Sequence, residues 1–325
     1  MIAQPLVASA MALQSDHETY LLVGGVLALL VVATVLGQVL RVRAQGGKGA
    51  KTIQNLNART NAWWVMVGVF GLAMLCGMVG TVILFSLISL VGLREFLALT
   101  PTRAGDRGTL LWVFCLFAPL QYWLVATGWY GLFAVMIPVY AFLFVPLRSA
   151  LSGDCEGFLE RTAKIQWGLM LCVYCVSHAP GLLFLSIPGY EGQNAKLLFY
   201  FVLVVQISDV MQYVWGKTLG RHKIAPKVSP NKTWEGFVGG IATATLIGTG
   251  LWWVTPFTPL QAAGISLAST LMGFAGGLVM SAIKRDQGVK DYGTLIGGHG
   301  GVMDRIDSIC FAAPAFFHLT RYLFT

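Results

Sequence analysis

AWWVMVGVFGLAMLCGMVGTVILFSLISLVGL, residues 62–93, runs for 32 residues without a charged side chain. A helix that crosses a bilayer takes roughly 20 apolar residues. This stretch is long for one crossing and short for two, and every later loop changes side with the choice. Loop charge decides between them. If the stretch turns back near Gly77 to Gly80, the loops 41–61, 94–108, 148–164, 217–235 and 284–305 share one side. Those loops hold 20 of the 22 Lys and Arg residues, and only Lys196 and Arg321 fall outside. If the stretch crosses once, 41–61 parts company with all the other basic loops. Cytoplasmic loops carry the Lys/Arg excess of membrane proteins, so the hairpin is the expected form.

The other apolar segments lie at 19–40, 109–127, 129–147, 166–188, 195–216, 236–254, 261–283 and 306–324. With the hairpin, the expected fold is an all-α polytopic integral membrane protein of about ten transmembrane helices, both termini outside. Composition agrees: of 325 residues, 56% are hydrophobic and 11% charged, against about 25% charged in a soluble domain. The net charge of +8 is read as loop topology and not as nucleic-acid binding. The six cysteines show no framework spacing, and Cys172 and Cys175 form a CxxC inside an apolar helix with no second ligand pair. Residues 1–16 have no basic n-region, so a short tail is expected there rather than a cleaved signal peptide. The Gly-, Gln- and Asn-containing loop 41–61 reads as a tether after a first anchor helix.

Three polar pieces interrupt this oily chain. Asp209 lies late in the seventh crossing, with Gln206, Ser208 and Gln212 around it. An acid at membrane depth marks a site, and Gln206 and Tyr213 share nearly its helical face at i−3 and i+4. The second piece is the loop with Lys217, Arg221, His222, Lys223, Lys227 and Lys232. Ser229-Pro230 in it resembles an N-cap followed by proline in the first helical turn. A helix start beside Lys227 and Lys232 would suit phosphate. The third is Ser281–Asp307, with four cations, four carboxylates and His299 within 27 residues. Gly297, Gly298, Gly300 and Gly301 around His299 let backbone approach a ligand closely. Asp304 and Asp307, at i and i+3, share a helical face. Paired carboxylates beside bound phosphate are a common Mg²⁺ setting. His17, His178 and His318 carry no such context.

In this order the three pieces resemble the phosphatidate cytidylyltransferase family, the CDP-diglyceride synthetases. Ser281-Ala-Ile-Lys284-Arg285, then Lys290-Asp291, then His299-Gly300-Gly301-Val302-Met303-Asp304-Arg305-Ile306-Asp307 meets the family's C-terminal pattern. Ser229-Pro230-Asn231-Lys232-Thr233-Trp234-Glu235-Gly236 meets a second pattern, and Asp209…Tyr213…Gly216 is similar to a third. Arg94-Glu95-Phe96 matches a looser acidic-aromatic feature. Gly276-Gly277 stands where the family has Gly-Asp, Gly297 where Pro is usual, and Gln212 where Ala is common. The chain thus has one expected carboxylate fewer. The resemblance covers about 57–325, which divides the chain into an N-terminal anchor helix with its basic loop (1–56) and a cytidylyltransferase-like membrane domain (57–325).

The resemblance implies condensation of CTP with phosphatidate to CDP-diacylglycerol and pyrophosphate, with Mg²⁺ and room for a second monovalent or divalent cation. Metal binding is assigned to Asp209, Asp304 and Asp307, with Asp291 as a fourth candidate. The catalytic set is Asp209, Lys284, Arg285, Lys290, Asp291, His299 and Arg305. Substrate binding is assigned to Lys217, Arg221, Lys227, Ser229, Lys232, Thr233, Glu235, Gly300 and Gly301. The expected place is a bacterial inner membrane with the site facing the cytoplasm, where soluble CTP meets a bilayer-held lipid; a homodimer is left open. Two rival readings remain. One is a CTP-dependent transferase acting on another lipid, and the other is a non-enzymatic relative or transporter. Transport predicts inverted repeats and broken helices at mid-membrane, and the sequence shows neither.

Overall fold

The computed structural model describes residues 17–43, 50–99, 102–295 and 300–325. Among them ten helical rods follow one another: α1 His17–Arg43, α2 Ala50–Leu75, α3 Gly77–Ala98, α4 Ala104–Ala126, α5 Tyr130–Ala150, α6 Phe158–Phe184, α7 Asn194–Thr218, α8 Trp234–Gly250, α9 Pro259–Asp286 and α10 Met303–Phe324. The one sheet among the described residues is a two-stranded hairpin between α7 and α8, β1 Lys223–Ala225 and β2 Ser229–Thr233. Seven rods (α1, α3, α4, α5, α6, α7 and α9) are long and apolar enough to cross a membrane. Of the other three, α2 confines its apolar part to Thr60–Leu75, α8 has 17 residues, and α10 carries Asp304, Arg305, Asp307 and Arg321. With no bilayer water to satisfy backbone groups, helices are the expected solution. Wider, π-type turns at Val113–Phe117 and Met136–Ala141 lie beside or over Pro119 and Pro138, whose missing N–H breaks the regular ladder.

The 62–93 stretch does fold back. Gly77 takes φ 71°, a conformation open to glycine at little cost. Beyond it α3 returns along α2, so that Phe70 and Phe85 meet edge to face with centroids 6.4 Å apart. The loop expected over 41–61 is shorter than its sequence suggested: α1 reaches Arg43 and α2 already starts at Ala50. Polar residues next to a crossing can continue its helix into the aqueous region, because backbone pairing there needs no apolar side chains.

Ion pairs mark the two ends of the bundle. At one end Lys196, at the start of α7 and 2% exposed, donates to Glu18 at the start of α1 at 2.7 Å. At the other, Arg161 on the first turn of α6 pairs with Asp154 at 2.8 Å and approaches Asp106 at 3.5 Å, tying α6 to the start of α4 and to the loop 151–157. Hydrogen bonding to Arg161 holds the Asp154 carboxyl below the usual range.

Glycines set the distance between α7 and α8. A Cβ on Gly240 would stand 2.6 Å from the Gln212 backbone nitrogen, and one on Gly236 2.8 Å from the Gln212 carbonyl oxygen. Small residues let helices approach in lipid, where dispersion rather than water expulsion drives association. Gly240→Ala should therefore push α8 off α7 and destabilise the protein by about 1–3 kcal/mol, as overpacking does. Gly264→Ala, which meets open space, should leave thermal unfolding in detergent unchanged and serves as the control.

Candidate active site

Four elements converge at the end of the bundle that holds the C-terminus of α3: the ends of α7 and α9, the β-hairpin, and the start of α10. The local sequence explains each ending. Thr233 caps α8, its Oγ1 accepting from the Gly236 N–H at 3.1 Å. This corrects the helix start expected at Ser229-Pro230. Those residues belong to β2, in register with β1 through Ala225 and Ser229; a two-stranded hairpin has only edge strands, where proline is tolerated. The hairpin is clamped by Glu235, which accepts the backbone N–H groups of Arg221 and His222 and lies 2.6 Å from the His222 ring. It is tied to α9 by Arg285, whose Nε donates to the Val228 carbonyl at 3.2 Å.

The start of α10 is held by two carboxylates. Glu95, at the end of α3 and 7% exposed, accepts from the N–H of Val302 at 3.1 Å and of Met303 at 2.8 Å. Helix N-termini leave donors unpaired, and a buried carboxylate also complements the helix dipole. Gly301 and Gly293 are glycine because a Cβ at either would run into the Glu95 carboxylate. Asp304 takes the N–H groups of Tyr292 at 2.8 Å and Gly301 at 3.0 Å through one oxygen, and Lys284 at 2.7 Å through the other. Tyr292 in turn stacks on Phe96 and donates to the Met280 carbonyl.

Behind this frame lies a cavity of about 240 Å³. Its walls include Asp209 and Gln212 from α7, Asn231 and Lys232 from β2, Phe274 and Gly277 from α9, and Asp304, Arg305, Asp307 and Ser308 from α10. Ser308 joins the two acids of its floor. Its Oγ donates to Asp209 at 2.6 Å, and its N–H donates to Asp307 at 2.8 Å. Lys232 reaches in from the hairpin, its Nζ 4.4 Å from the centroid of the Phe274 ring and 3.4 Å from the Phe274 carbonyl oxygen. Burial pushes its ammonium below the usual lysine range, while Asp209 and Asp307 oppose the shift. Three carboxylates, two cations and side-chain hydroxyls in one pocket at the edge of an apolar bundle can hold phosphate groups and a hard cation.

The structure thus brings Asp209, Lys232, Thr233, Asp304, Arg305 and Asp307 around one space. Asp304 shares that wall but spends its oxygens on Lys284, Tyr292 and Gly301. Gln206, expected beside Asp209, donates instead to the Arg305 carbonyl. Lys217, Arg221, Lys227, Arg285, Lys290 and Asp291 are exposed on the same end, outside the cavity wall. Ser229 and Glu235 serve the hairpin, and Gly300, with φ 81°, lies against Asp304 and Asp291. His299, Gly297 and Gly298 lie outside the described residues. Among the described residues no cluster of three or more His, Cys, Asp and Glu ligands forms. Sequence reasoning gave Glu95 only a loose role and passed over Ser308, Asn231, Phe274 and Tyr292. An acid at the apolar end of α3 was the available signal for Glu95; nothing in sequence pairs Ser308 with Asp209.

The chain is also similar to known proteins. Over 298 residues the chain is 39% identical to the uncharacterized protein YnbB of Escherichia coli (strain K12), covering 91% of this chain and 96% of that one. It is 33% identical over 262 residues to a phosphatidate cytidylyltransferase of Bacillus subtilis (strain 168), covering 78% and 90%. A phosphatidate cytidylyltransferase of Staphylococcus aureus (strain COL) is 31% identical over 192 residues, 57% of this chain and 74% of that one. The model of the cytidylyltransferase family matches residues 57–323, a span that takes in every wall of the cavity. This chain is an integral membrane member of the cytidylyltransferase family.

Proposed function

We propose that the protein is a CTP:phosphatidate cytidylyltransferase that forms CDP-diacylglycerol and pyrophosphate, in a bacterial inner membrane with its site on the cytoplasmic side. The observation that carries this reading is the cavity itself. It gathers Asp209 and Asp307 with Lys232 and Arg305 at the end of the bundle where Lys217, Arg221, Lys227, Arg285 and Lys290 are exposed. The names of the Bacillus and Staphylococcus relatives support phosphatidate as acceptor.

The chemistry asks little covalent work of the protein. A phosphate oxygen of phosphatidate attacks the α-phosphorus of CTP, the bond from that phosphorus to the bridging oxygen breaks, and pyrophosphate leaves with the electron pair. Positioning and charge neutralisation then dominate. Lys232 and Arg305 neutralise phosphate oxygens in the cavity, while Lys217, Arg221, Lys227, Arg285 and Lys290 draw the triphosphate to its mouth. Lys284 holds Asp304 in place, and through it the backbone N–H groups of Tyr292 and of Gly301. The donor set fits Mg²⁺: Asp209 and Asp307 offer hard oxygens on one wall, and Mg²⁺ takes one or two carboxylates with substrate phosphates and water completing its shell. When bound, the ion would neutralise charge developing on the phosphates.

Purified full-length protein should release pyrophosphate from CTP only when phosphatidate is added, and removing Mg²⁺ should abolish the reaction. A panel of acceptors, with a polyprenyl phosphate beside phosphatidate, checks the lipid. Turnover with the polyprenyl phosphate alone would move the protein to another CTP–lipid reaction. No pyrophosphate release with any acceptor would count against catalysis.

A further inference from the structure

Lys232 sits differently from the surface lysines of its loop. Its ammonium lies against α9, over the Phe274 ring, and it fits there because residue 277 is glycine. A Cβ at 277 would stand 2.9 Å from Lys232 Nζ and 3.9 Å from Asp307 Oδ2. Asp209 and Asp307 line the same cavity as this ammonium and attract it, and Ser308 links the two acids into one unit. The acidic floor of the cavity thus already faces a cation that belongs to the chain.

We infer that the Lys232 ammonium, berthed against Gly277, is the resident cation of the Asp209–Asp307 pair, so that the nucleotide-free protein takes up divalent ions weakly and a metal ion enters together with the triphosphate. The inference rests on reading this cavity as a metal-assisted transfer site. Its physical basis is charge. The two carboxylates face the Lys232 ammonium and share the cavity with Arg305, so little net negative charge is left for an incoming dication, and like charges repel strongly where water is scarce. Mg²⁺ gives up its water reluctantly and relies on substrate phosphates. A triphosphate brings enough negative charge for both cations, and the flexible lysine stem lets Nζ turn from the carboxylates to a phosphate oxygen.

Mn²⁺ binding to the full chain in detergent, followed by electron paramagnetic resonance without nucleotide, tests this directly. Wild-type protein should bind Mn²⁺ weakly, and CTP should tighten binding by at least about tenfold. Lys232→Met, which keeps a long side chain over Phe274, should raise the nucleotide-free Mn²⁺ affinity about tenfold or more, one unit of buried charge having been removed. Lys232→Arg keeps the charge and should bind as weakly as wild type. Lys227→Met removes the same charge from an exposed position and should change the affinity by less than about twofold, since exposed charges are screened. Unchanged Mn²⁺ affinity in Lys232→Met protein of normal thermal stability overturns the inference, as does an equal rise in Lys227→Met. If Lys232→Met does not fold, Lys232→Gln decides. It removes the charge and keeps a polar side chain in the cavity, so nucleotide-free Mn²⁺ affinity should rise; no rise overturns the inference. Tight Mn²⁺ binding by nucleotide-free wild type would also overturn it while leaving cytidylyl transfer intact. Absent CTP turnover would instead strike the transferase reading and leave the Mn²⁺ comparison readable.

Discussion

Asp307→Asn should lower CTP turnover by about 10²–10³-fold or more, the scale seen when one preorganised electrostatic group is removed from an active site, while the protein stays folded. Asp307 faces the cavity and accepts from the Ser308 N–H, a bond that an asparagine carbonyl can keep. What is lost is the negative charge that would hold a cation beside the phosphates. Asp209→Asn should behave alike, since Ser308 Oγ can still donate to the amide oxygen. Asp304→Asn is expected to differ in kind. Its carboxylate is 3% exposed and paired with Lys284, itself 11% exposed. Breaking a buried ion pair from one side costs about 3–5 kcal/mol. Turnover should therefore fall together with thermal stability. The measurement is a paired one: steady-state CTP turnover with phosphatidate, and unfolding temperature in the same detergent. Normal turnover in a folded Asp307→Asn protein would remove that residue from the reaction. An Asp304→Asn protein as stable as wild type would mean that the Lys284 pair does not brace the start of α10.

The second large effect is expected at Glu95, which lies on α3, far in sequence from the polar motifs. Glu95→Ala leaves the N–H groups of Val302 and Met303 without their acceptor, and each buried unpaired donor costs about 1–3 kcal/mol. The start of α10 should loosen, and Asp304, Arg305 and Asp307 would lose their common placement with it. The expected result is a lower unfolding temperature and a fall in turnover through kcat, since the groups remain chemically present but misplaced. Glu95→Gln keeps one acceptor oxygen and should fall between alanine and wild type. Wild-type kcat in Glu95→Ala protein would show that Gly293, Gly301 and the Lys284–Asp304 pair suffice to hold the helix start.

Much of the architecture was legible in the chain because the bilayer imposes strong rules. An apolar run of sufficient length must be helical in lipid, and lysine and arginine choose the side of each loop. These two constraints, applied to residues 62–93 and to the loops around them, yielded the α2–α3 hairpin and the sequence of ten rods. The same reading misplaced the start of α8. Ser229 and Thr233 are both competent caps, and local preference does not say which one the β-hairpin will consume. It also drew the loop after α1 too long, because polar residues beside a crossing can remain helical.

Sequence by itself determined which residue types gather at the end of the bundle that holds the candidate site, since charge and glycine are costly in an apolar chain. Only the tertiary structure decided how those residues divide the work. Asp304 and Asp307 share a helical face, yet one closes on Lys284 and the backbone of Tyr292 and Gly301 while the other faces the cavity with Asp209. Arg285 binds the hairpin rather than the cavity wall, and Glu95 arrives from more than 200 residues away to fasten the start of α10. The berth of Lys232 against Gly277 is likewise a matter of three elements meeting. Spacing along one helix specifies a direction, but what a side chain meets in that direction depends on the other helices, and their approach is set by packing over the whole bundle.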